Sequence, residues 1–170
     1  MVFADLEKLM DGKRPERVVN DLYPALMEIK RPEEERRITM RVPEHCTADA
    51  GMFFDGHPAE LALYEALFRR MDGAFPEGTV KVQKSQISFY GRHLFAAASL
   101  PVRRRKDWPK MCLMVTVGLP YRLDSPRVVA ASEPYPGRWT HHVLVTEADQ
   151  IDEELMGWLR EAWDFAESKR

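Results

Sequence analysis

The chain has 170 residues, 45% of them hydrophobic and 31% charged, with a formal net charge of -2. That hydrophobic share supports a buried core, in one domain with an N-terminal extension or in two very small units. Mixed charge and a pI near 6.2 exclude nucleic-acid binding as a bulk property. Two cysteines exclude a disulfide framework, and no stretch approaches the roughly 20 apolar residues that a membrane-spanning helix needs. The opening "MVFADLEKLMDG" carries acids where a secretory signal has its basic region, so a reduced cytoplasmic protein is expected.

In chain order, Phe3, Leu6, Leu9 and Met10 predict a short helix stopped by Gly12. A second helix starts at Pro15 and carries a stripe at Val18, Leu22, Leu26 and Ile29, with a kink or break at Pro24. "RPEEERR" is a charged connector, and "RITMRV" alternates at Ile38, Met40 and Val42 as a half-buried strand does. Residues 1–45 thus form an N-terminal helical extension and connector strand, and 46–170 an α+β domain. "GHPAELALYEALFRRMDGAFPEG" predicts a helix with Pro58 at its start, a stripe at Leu61, Tyr64, Leu67/Phe68 and Met71, and Gly73 as its C-terminal glycine.

Six strand-like runs follow: 79–83, 86–91, 93–100, 110–119, 127–132 and 140–146. Breaks fall at Gly91-Arg92, Pro101, Gly118-Leu119-Pro120 and Pro134-Tyr135-Pro136-Gly137. The basic run Arg103-Arg104-Arg105-Lys106 falls in one such break and reads as a solvated loop. Cys112 lies within an apolar run and reads as a small buried hydrophobe. No helical pattern separates the runs, and parallel pairing needs long crossovers, so the sheet is expected to be mostly antiparallel. A closing helix carries Ile151, Leu155, Trp158/Leu159, Ala162/Trp163 and Ala166, with Thr146 or Asp149 as its cap and acids in its first turn. The fold class is α+β: an antiparallel meander of five to six strands, with flanking N- and C-terminal helices packed on one face.

The succession "FFDGHPAELALYEAL", "VKVQKSQISFYGRHLFAAASL" and "RWTHHVLVTEADQIDEELMGWLREAW" resembles the bacterial domain-of-unknown-function 5655 family over about residues 52–166. The shared features are an "F-x-G-x-P" helix start, a lysine before an "I-x-F" strand, an "R-x-x-F-A" strand, an "HH" strand and a closing "ID-x-EL-x-x-WL-x-EA" helix. The resemblance implies a small cytosolic domain with no established chemistry. Some similar proteins carry a zinc-binding segment ending in His-Cys, and His45-Cys46 stands in that place here. No C-x-x-C precedes it, and a closed zinc site needs four ligands, so no metal or cofactor is expected.

No strong catalytic signature is present. In a strand over 140–146, His141 shares a face with Val143 and Val145, and His142 shares the other with Thr140, Leu144 and Thr146. The pair therefore cannot clamp one metal from this strand alone. One imidazole packs between sheet and helix, while His142 faces the more polar side. With Lys84, Ser88, Tyr90, Arg92 and Arg138, expected on neighbouring strands, His142 forms a cationic, aromatic-edged face suited to a carboxylate or phosphate.

The leading expectation is a non-enzymatic binding or accessory module that recognises a small anionic molecule or peptide carboxylate on the open sheet face. One alternative is a metal-dependent or acid–base hydrolase using His141 or His142 with Glu133. Another is a protein–protein interaction or homodimerisation domain built on the N-terminal helices or the Trp-rich closing helix. No nucleic-acid or membrane partner is expected, and Glu133 is expected to pair with Arg138 across its turn.

Overall fold

The computed structural model describes residues 40–170. The two N-terminal helices, the charged connector and the start of the strand expected at 38–42 lie outside the described residues. Met40 is buried in the core, and Arg41 makes an isolated parallel bridge to Thr79.

Three helices and six strands follow. Helix α1 (Cys46–Phe53) precedes α2 (Pro58–Ala74). Pro58 opens α2, where its missing N–H costs nothing. The buried positions of α2 are Glu60, Leu63, Tyr64, Leu67 and Met71, while Leu61 and Phe68 are half-buried. Gly73 lies inside the last turn of α2, and the cap is Phe75, whose N–H donates to the Met71 carbonyl. Phe75 is held there because its ring stacks on Trp163 and packs against Phe95, so core packing rather than glycine freedom ends the helix.

The strands are β1 (Thr79–Val82), β2 (Ile87–Tyr90), β3 (Leu94–Ser99), β4 (Leu113–Leu119), β5 (Val128–Tyr135) and β6 (Arg138–Val145). They form one sheet in the order β1-β2-β3-β4-β6-β5, with every pairing antiparallel. Helix α3 (Glu153–Ser168) closes the chain and covers β3 and β4. The α+β architecture with helices on one face is thus the fold of this chain. The segment Pro134-Tyr135 continues β5 rather than breaking it. Proline is tolerated because β5 is an outer strand, and the turn is only Pro136-Gly137, with Gly137 at φ 68°.

Register sorts the two faces. Val80, Ile87, Phe89, Ala96, Ala98, Val115, Val117 and Val143 face the helices and join the core. The opposite face carries one row running Lys81, Ser88, Ala97, Thr116, His142 and Ala130. Strict alternation would put Phe95 on the second face, beside Ala97. A bulge opposite Phe89/Tyr90 makes Phe95 the extra residue of β3 and turns its ring into the core, between Phe75 and Trp163.

The departure from a simple meander is the segment from Pro120 to Arg127. Strands β4 and β5 run in the same direction with β6 between them, so this connection crosses the sheet from end to end. It runs on the helix side: Tyr121 donates to Glu161 of α3, and the Leu123 N–H donates to His141 Nε2. Its far end is tied by Arg127, whose guanidinium binds the Asp152 and Glu154 carboxylates and the Gln150 carbonyl.

Asp152, not Thr146 or Asp149, caps α3 by accepting the Leu155 N–H at 3.0 Å. Thr146 and Gln150 instead close the short 3-10 turn at Ala148–Gln150. The Leu155 amide, opposed by partial burial and aided by Arg127, holds the Asp152 carboxyl below its ordinary range. Asp152→Ala is expected to lower stability by about 1–2 kcal/mol, with Asp152→Asn, which keeps a cap acceptor, losing less. Urea unfolding of the three proteins checks the order.

Candidate functional site

The two histidines divide as strand geometry requires. His141 is fully buried among the core side chains. Its Nε2 accepts the Leu123 N–H at 2.9 Å, so the ring proton is on Nδ1, 3.4 Å from the Val117 carbonyl. Both nitrogens hold backbone, and burial depresses the pKa below its usual value. His142 lies on the opposite face, half-buried, with Nδ1 3.0 Å from Thr116 Oγ1. Burial, then the neighbouring His141, lowers its pKa as well.

The other sequence-predicted site residues do not gather around His142. Ser88 lies in the same cross-strand row, but β3 and β4 intervene, a separation of roughly 14 Å at the usual strand spacing. Ser88 is also enclosed, its hydroxyl donating to Gln83 and accepting from Gln86. Lys84 is exposed in the β1–β2 turn, while Arg92 sits at the other end of β2. Arg92 turns towards α3, with its N–H and its Nε both directed at the Glu167 carboxylate. Tyr90 is half-buried under Lys81, whose ammonium is 5.7 Å from the ring centroid. Arg138 is exposed at the start of β6. Glu133 accepts the Gly137 N–H at 2.9 Å, so its carboxylate closes the hairpin turn through backbone rather than through Arg138.

What the tertiary structure does bring together lies at the β5 side of the sheet. A cleft of about 400 Å³ is floored by Val129, Leu144 and Thr146 and walled by Arg105, Asp107, Trp108 and Arg127. A second, of about 620 Å³, lies between the crossover and β5, with Arg105 and Arg122 on its walls. Arg70, Arg92, Arg127 and Arg160 are each paired with carboxylates. Arg105 and Arg122 have no ion-pair partner among the described residues. Each instead lies over an indole: Arg105 at 5.7 Å from the Trp108 centroid, Arg122 at 5.9 Å from that of Trp139. A guanidinium braced on an aromatic face keeps its outward N–H donors available for a planar anion.

Arg105, expected in a solvated basic loop, lies over Trp108, a pairing whose three-residue spacing is visible in the sequence. The Arg122–Trp139 contact has no local signal, because it depends on the crossover passing over β6. Among the described residues, no group of three or more His, Cys, Asp or Glu is placed to hold a metal ion, and no helix is long and apolar enough to cross a membrane. No curated protein and no solved structure matches the chain. Residues 50–166, from the second half of α1 through β6 and nearly all of α3, match the family model described as Domain of unknown function (DUF5655), and the chain belongs to that family.

Proposed function

We propose that this domain is a binding module for a small carboxylate- or phosphate-bearing molecule, held at the β5 side of the sheet rather than around Lys84 and Arg92. The observation that carries this reading is the pair of indole-braced arginines, Arg105 and Arg122, which line adjoining clefts without a carboxylate partner among the described residues. In the smaller cleft Trp108, Val129 and Leu144 offer an apolar surface, Arg105 and Thr146 supply donors, and Asp107 is the single carboxylate on the wall. Small-molecule sites combine such a floor with a few orienting polar groups. A binding role is favoured over acid–base chemistry because His141 has both ring nitrogens committed to backbone and Glu133 holds its own hairpin.

Titration of the full chain with citrate and with inorganic phosphate, followed by calorimetry, tests the reading. Saturable binding is expected, and Arg105→Ala should weaken it by about tenfold, the effect of losing one charge-assisted contact. Lys84→Ala, at the far side of the sheet, should leave it unchanged. Heat signals indistinguishable from dilution, for both anions, would overturn the proposal.

A further inference from the structure

Building on that anion-binding reading, we infer that the partner is an acidic peptide segment in extended conformation, which adds as a further strand along the outer edge of β5. Strand β5 ends the sheet and has no strand hydrogen-bonded on its outer side among the described residues. The opposite edge is different: at β1 the Arg41 N–H donates to the Gly78 carbonyl and the Val80 N–H to the Arg41 carbonyl, which partly closes it. Half of the backbone donors and acceptors of an edge strand point outward and pair readily with an incoming chain.

The larger cleft lies against this strand. It is lined by the stretch from Val128 to Ala131, by Asp124 and Ser125 of the crossover, and by Arg105 and Arg122. Ala130 and Ala131 project only methyl groups, so an added strand meets little side-chain bulk. Charge sets the kind of strand: two unpaired guanidiniums against one carboxylate favour a peptide bearing acids. The geometry also limits its length. Pairing of β5 is irregular between Val128 and Ala130 and again between Ser132 and Tyr135, and Pro134 has no N–H to offer. Only a short run centred on Ala130 to Ser132 is regular enough to pair, so the backbone contact fixes register while the arginines supply much of the attraction.

The test uses the full chain and a capped six-residue peptide alternating glutamate and threonine, measured by calorimetry beside citrate. Two further peptides carry N-methyl groups on alternate amides, one set for each edge of the strand, with the charge unchanged. Strand addition predicts that methylating one edge weakens binding by about tenfold or more while methylating the other is tolerated, since only one edge can face β5. Arg122→Ala should weaken the unmodified peptide without removing this edge preference. Equal affinity for both methylated peptides, or binding of citrate without binding of the peptide, would overturn strand addition and leave the anion-binding reading standing. Absence of binding by citrate, phosphate and peptide alike would remove both.

Discussion

His141→Ala is expected to cost the fold about 3–5 kcal/mol, a large share of the 5–15 kcal/mol by which a domain of this kind is stable. The loss combines a cavity in the core with the removal of the acceptor for the Leu123 N–H. His141→Phe separates the two effects: it keeps the volume but leaves that amide without a partner, at about 1–3 kcal/mol. Urea unfolding of both variants against the parent chain checks the order, and a His141→Phe protein as stable as the parent would show that the crossover does not hang on this imidazole.

The same contact makes a pH prediction. In the folded chain burial holds His141 and His142 below their ordinary pKa, near 6.5 in an unfolded chain. The unfolded chain therefore binds protons that the folded chain refuses as the pH drops through 6.5. Stability from the two neutral imidazoles is complete above that value and declines below it, until the folded-state pKa values are reached. His141→Phe should flatten the decline between about pH 7 and pH 5, and the difference between the two stability profiles isolates the imidazole from the carboxylates that titrate lower.

Phe95→Ala is expected to cost about 3–5 kcal/mol, as for a fully buried aromatic truncated in a packed core. Phe95 is only 2% exposed, with its centroid 5.0 Å from that of Phe75 and 5.1 Å from that of Trp163. Leu94→Ala, one residue earlier on a side chain that is 43% exposed, should change stability by less than about 1 kcal/mol. A period-two reading of β3 without the bulge gives no such contrast, because Phe95 would then face away from the helices. Similar thermal unfolding of the two variants would show that the bulge does not place Phe95 as described.

The sequence by itself determined the classes of the elements from α2 onward, the antiparallel pairing and the opposite facing of His141 and His142, whereas helix α1 carried no stripe that announced it. Those features depend on periods of 2 and 3.6 residues and on turn chemistry, which act over a few positions. The burial of Cys112, the Pro58 helix start and the loop around Arg103-Lys106 were legible for the same reason.

The tertiary structure alone decided which strands are neighbours. Strands β3 and β4 stand between Ser88 and His142, and the insertion of β6 between β4 and β5 sends the crossover over His141. It also decided which charges stay unpaired: Glu167 takes Arg92, and Asp152 and Glu154 take Arg127, whereas Arg105 and Arg122 rest on indoles. A charged side chain reads the same in sequence whether or not a carboxylate far along the chain lies beside it. Only long-range packing sets that distance, and with it the side of the sheet where an anion can be held.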